Sequence, residues 1–180
     1  MTRTIAVCAL FAWGCGGSTA GTSDPTDDTD HAEAPPAASG LAADDQEMLD
    51  AHNAARAEKG VPPLAWDEDL VEVADAWSAF LARDGCYLEH DGSSSYGENL
   101  YWSSYASRPQ DVVDSWVSEE RDYNYARNTC APNRACGHYT QVVWADTTHV
   151  GCKMNRCRRG EEIWMCVYDP AGNWVGERPY

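Results

Sequence analysis

The sequence predicts an α+β domain, with helices ahead of a small antiparallel sheet and disulfides tying it together. Three observations carry this. Helical periodicities over 44–59 and 67–84 precede the strand-like segments rather than alternating with them. The segments 136–144, 150–155 and 163–168 are rich in β-branched and aromatic residues and are separated by turn signals. Six cysteines share this part of the chain: Cys86, Cys130, Cys136, Cys152, Cys157 and Cys166. An even count fits three disulfides and an oxidising compartment. Cys152 and Cys157 have no Cys/His pair after them at zinc-finger spacing, so disulfides are preferred over a zinc cluster.

The first helix, 44–59, opens on Asp44 and Asp45, where carboxylates suit the helix dipole. Met48, Leu49, His52 and Ala55/Arg56 recur at helical spacing, and Gly60 ends it. Pro62-Pro63 enforces an extended connection. In the second helix, 67–84, Leu70, Val73, Ala74, Trp77 and Leu81 form an apolar stripe that stops at Gly85. Residues 86–102 read as a loop holding His90 and Glu98. A third helix, 109–123, places Val112, Val113, Trp116, Glu119 or Glu120, and Tyr123 on one face. Cys130 and Cys136 bracket a turn that a local disulfide can close. Segment 136–144 reads as a strand with His138 at its entrance. His138, Thr140, Val142 and Trp144 then share one face, and Tyr139, Gln141 and Val143 the other. Cys157 to Gly160 makes the turn between the last two strands.

With 180 residues and 43% hydrophobic content, the chain supports one packed domain with an appendage. Eight Trp and nine Tyr against two Phe make the core aromatic but polar-tipped. A net charge of -16 argues against nucleic-acid binding, which needs a basic footprint. Much of that charge lies in an acidic run that includes Asp24, Asp27, Asp28, Asp30 and Glu33.

Residues 1–15 read as an export signal: Arg3, then a short apolar stretch, then Cys15 before Gly16-Gly17-Ser18. The pattern resembles a bacterial lipoprotein signal with lipidation at Cys15, although Ala12 and Trp13 depart from its usual residues. An ordinary cleaved signal with an incidental cysteine is the alternative. Residues 16–43 read as a disordered acidic linker and 44–180 as the folded domain. The expectation is an exported protein, extracellular or periplasmic, held to the envelope by its lipid.

Several runs coincide along residues 45–180: His52-Asn53 with Arg56; Cys86 with His90; Tyr96-Gly97-Glu98-Asn99-Leu100; Trp116-Val117-Ser118-Glu119; 136–144; Cys166-Val167-Tyr168; and Pro170-Ala171-Gly172-Asn173. In this order they resemble the CAP superfamily of cysteine-rich secretory, antigen 5 and pathogenesis-related class 1 proteins, most closely its plant pathogenesis-related branch. The resemblance implies an α-β-α sandwich with a central cleft and the pairings Cys86–Cys157, Cys130–Cys136 and Cys152–Cys166. It also implies a cleft tetrad of His90, Glu98, Glu119 and His138, with Glu119 preferred over Glu120.

Two imidazoles suit Zn²⁺, and the carboxylates can either complete the metal shell or orient the rings. The expectation is a weak divalent metal site. A small hydrophobic ligand such as a sterol or fatty acid is a second expectation, with Tyr101, Trp102 and Tyr105 lining an apolar groove. A metal-assisted hydrolase is an alternative, and so is an envelope-protein interaction module with a purely structural tetrad. Catalysis finds little support, because the sequence holds neither an HExxH helix motif nor a G-x-S-x-G elbow, and its globular cysteines are accounted for as disulfides. A serine-rich loop at Ser93 to Ser95 is the nearest thing to a nucleophile. A monomer is expected.

Overall fold

The computed structural model describes residues 40–180. The export signal, Cys15 and nearly all of the 16–43 linker lie outside the described residues. Helix α1 (Ala43–Lys59) is followed by a short strand β1 (Ala65–Trp66) and helix α2 (Glu68–Arg83). Strand β2 (Gly97–Ser103) leads to helix α3 (Pro109–Val117) and a 3-10 turn (Ser118–Asp122). The two-residue strands β3 (Tyr123–Asn124) and β4 (Thr129–Cys130) form a separate ribbon. Helix α4 (Gly137–Val142) then precedes the long hairpin of β5 (His149–Arg156) and β6 (Glu162–Asp169). Gly60 stops α1, and Asp67 caps α2 by accepting from the backbone N–H groups of Asp69 and Leu70.

The main sheet runs β1-β5-β6-β2. Its β5–β6 and β6–β2 ladders are antiparallel, and β1 adds a parallel edge. Strand β6 is central and apolar on both sides, because both faces of the sheet are covered. Ile163, Met165 and Val167 pack with Leu70, Ala74 and Leu81 of α2. Trp164, Cys166 and Tyr168 pack on the other side with residues of α1, α3 and α4, among them Met48, Val113 and Tyr139. The result is a three-layer α-β-α sandwich. Gly151 sets the approach of α2 to β5, since a Cβ there would lie 2.4 Å from the Val71 backbone nitrogen.

Disulfides join Cys86 to Cys157, Cys130 to Cys136 and Cys152 to Cys166. The last lies directly across the β5–β6 ladder.

Four sequence expectations need correction. Segment 136–144 is a helix at 137–142, not a strand. All residues from Tyr139 to Trp144 are buried, so no polar position marks either period, and β-branched content misleads. Residues 97–102, read as part of a loop, belong to β2. The third helix ends at Val117 and tightens into the 3-10 turn. Strands β1 and β2 fall among the helices, so the simple helices-then-strands order does not hold.

Candidate functional site

Each member of the tetrad comes from a different piece of backbone. His90 lies on the loop after α2, and Glu98 is the second residue of β2. Glu119 sits in the 3-10 turn, and His138 in the first turn of α4. The fold brings them together as two pairs. Glu98 Oε2 accepts from His90 Nδ1 at 3.0 Å and from the Asp91 backbone N–H at 3.0 Å. Glu119 Oε1 accepts from His138 Nδ1 at 2.7 Å, while its Oε2 accepts from the His138 backbone N–H at 3.0 Å. Glu119 therefore fixes the His138 ring and satisfies an orphan N–H at the start of α4.

The two pairs sit in different environments. The Glu98 side chain is 4% exposed and its His90 partner 62%. The hydrogen bond to Glu98 raises the His90 pKa above its ordinary value, against the opposing effect of burial. Glu98 Oε1 is buried with no partner among the described residues. The His138 ring stacks on Trp116, with centroids 6.3 Å apart and planes 19° from parallel.

A cleft of about 290 Å³ opens beside the first pair, lined by His90, Tyr96, Glu98, Gln141, Gly172 and Asn173 among others. Gln141 holds one wall, since its Oε1 accepts from the Gly172 N–H at 2.9 Å. Gly97 makes room for that amide, because a Cβ there would lie 2.2 Å from Gln141 Oε1. His138 and Glu119 do not line this cleft.

Beneath the site runs a chain of buried polar groups. Asn99 Nδ2 donates to the His138 carbonyl at 3.0 Å and to the Tyr168 hydroxyl at 3.1 Å. Tyr168 bonds His52 Nε2 at 2.8 Å, and His52 Nδ1 bonds the Met48 carbonyl at 2.7 Å. Since Nδ1 faces a carbonyl, it carries the proton and Nε2 accepts from Tyr168. Arg56 adds a second support, donating to the carbonyls of Val142 and Trp144 at the end of α4, and to those of Thr147 and Pro62. The site thus rests on Asn99, Gln141 and Arg56, which sequence reasoning did not single out as site residues. The available signal was a polar side chain inside an apolar run, as with Gln141 between Thr140 and Val142.

The expected aromatic groove is not formed. Tyr101 and Trp102 are neighbours on β2 and face opposite sides of the sheet. Tyr101 packs against the core shared by α1, α3 and α4, while Trp102 donates its ring N–H to Cys86 Sγ across the other face. Tyr105 is 68% exposed. The serine-rich loop is a local turn, in which Ser93 donates its N–H and hydroxyl to Asp91 Oδ1.

For a metal, the donor chemistry fits in one particular form. Both Nδ1 atoms are engaged by carboxylates, which fixes the tautomer and leaves each Nε2 as a lone-pair donor. The carboxylates then orient the rings. Among the described residues, the three-donor group found within 4.8 Å is Cys86, Cys157 and Glu161, and its sulfurs are spent in a disulfide. The tetrad does not close to that spacing.

The model of the CAP, cysteine-rich secretory protein, family matches residues 49–168. A pathogenesis-related protein of PR-1 type from Sambucus nigra is 46% identical over 136 residues, covering 75% of this chain and 81% of the relative. Pathogenesis-related protein 1 of Arabidopsis thaliana is 47% identical over 135 residues, with coverage of 75% and 81%. Among solved structures, NaASP2 with Zn²⁺ aligns with a TM-score of 0.65 at 22% identity, covering 78% of this chain and 87% of that one. Venom allergen-like protein 4 of Schistosoma mansoni aligns at 0.62 and 24%, covering 78% and 95%.

Proposed function

The chain belongs to the CAP, cysteine-rich secretory protein, family, and from that premise we propose that it is an exported binding protein whose His/Glu tetrad takes a divalent cation. His90 and His138 would supply Nε2 donors, with Glu98 and Glu119 holding the rings from behind. The observation that carries this reading is the paired arrangement, in which each imidazole has its Nδ1 engaged by a carboxylate. The orphaned Glu98 Oε1 adds support, because a buried carboxylate oxygen without a donor is costly and a nearby cation offsets that cost. A bound cation would supply charge and a Lewis-acidic centre. The residues themselves bind and orient.

Zn²⁺ titration calorimetry on the full chain, beside the His90→Ala/His138→Ala double variant, tests the reading. Saturable heat in the wild type that disappears in the variant is the expected result. The same absence of heat in both would overturn the proposal.

A further inference from the structure

Away from the tetrad, the Cys86–Cys157 disulfide forms part of the wall of a second cleft of about 300 Å³, also lined by Arg83, Arg158, Arg159 and Glu161. Arg83 ends α2 and suits the helix dipole there, an ordinary role. Arg158 and Arg159 occupy the β5–β6 turn, closed by the Gly160 N–H donating to the Cys157 carbonyl at 3.1 Å. Arg108, Arg134 and Arg156, by contrast, each pair with a carboxylate. No ion pair or hydrogen bond joins Arg83, Arg158 or Arg159 to another side chain among the described residues. Three guanidiniums against one carboxylate leave this cleft positive on a chain of net charge -16.

Like charges gathered without partners repel one another, and an anion seated between them removes that cost. Arginine is the side chain whose planar fork matches oxyanions in bidentate fashion. The disulfide ties the two arginine-bearing segments together: Arg83 lies three residues before Cys86 and Arg158 directly follows Cys157. The backbone segments that carry the guanidiniums are therefore held side by side before any ligand arrives, which removes part of the ordering cost of binding. We propose that this cleft is a binding site for a phosphate-bearing ligand, recognised through its tetrahedral oxyanion by Arg83, Arg158 and Arg159.

The test is calorimetry of the full chain with inorganic phosphate and inorganic pyrophosphate, at low and high salt. The wild type should bind pyrophosphate more tightly than phosphate, and more weakly as salt rises. Arg158→Ala/Arg159→Ala and, separately, Arg83→Ala should each weaken pyrophosphate binding by about tenfold or more. Arg158→Lys/Arg159→Lys should keep part of it, since lysine retains charge without the fork. These side chains are exposed, so the variants should melt with the wild type, and the Lys variant guards against misfolding in the Ala one. Co-sedimentation with phosphatidylglycerol–phosphatidylcholine vesicles separates the sources. Vesicle binding lost in the same variants places the phosphate on a lipid, and pyrophosphate binding without vesicle binding places it on a soluble ligand. Either absence of wild-type binding to pyrophosphate, or equal binding by wild type and Ala variants, overturns the proposal.

Discussion

His52 and Tyr168 are 116 residues apart in sequence and share a 2.8 Å hydrogen bond in the buried middle of the sandwich. The bond joins α1 to the end of β6, and through Asn99 it reaches the backbone of His138. Burial pushes the His52 pKa down to about 4 and raises that of Tyr168, so both groups stay neutral at ordinary pH.

A pH dependence of stability follows from His52. Its folded pKa of about 4 lies below the ~6.5 of an unfolded histidine. Between these values the unfolded chain holds the extra proton, so stability rises with pH. Its contribution is fully present above pH ~6.5 and is lost as pH falls toward 4, by about 3 kcal/mol in all. Urea midpoints measured from pH 7 to 4 should show this slope, and His52→Gln should flatten it.

Asn99→Leu should cost about 1–3 kcal/mol, because it leaves the His138 carbonyl without its buried donor. It should also weaken Zn²⁺ binding while leaving all four tetrad residues in place. A variant that lost stability yet kept the wild-type metal affinity would show that Asn99 does not position His138.

Arg56→Met should be among the most damaging single changes. The buried guanidinium donates to four carbonyls, those of Pro62, Val142, Trp144 and Thr147. A loss of more than about 3 kcal/mol is expected, since methionine fills space but leaves these acceptors unpaired. Chemical denaturation measures it directly, and hydrogen exchange should show the 137–142 helix loosening first.

The disulfides should not be equivalent. Cys86–Cys157 closes a separation of 71 residues and Cys130–Cys136 one of 6. Loop-closure entropy then makes removal of the first, as Cys86→Ser/Cys157→Ser, costlier than removal of the second by about 2 kcal/mol. Equal losses would show that native contacts, not chain entropy, set the difference.

Gly97→Ala should disturb the cleft. The added methyl meets Gln141 Oε1, forcing that amide off the Gly172 N–H. A destabilisation of about 1–3 kcal/mol is expected, with chemical-shift changes gathered at Gly172 and His90 in NMR spectra.

The amphipathic stripes of α1 and α2 were legible because each helix meets water on one side. The 3.6-residue period of Leu70, Ala74 and Leu81 is a direct imprint of that boundary. Strand β6 was legible as an apolar run bounded by turns. The positions of His90, Glu98, Glu119 and His138 could be named from the order of their motifs, since motif order survives in one dimension.

The sequence alone could not decide which of these residues touch. His90 meets Glu98 and His138 meets Glu119 because a loop, a strand, a 3-10 turn and a short helix converge. The polar side chains of Glu98 and Asn99 hid β2, and the full burial of 139–144 hid α4. Where every side of a segment is covered by protein, hydrophobic pattern carries no period, and only the surrounding packing selects helix or strand. Local pattern therefore determined the elements that face water, and long-range packing decided those that build the site.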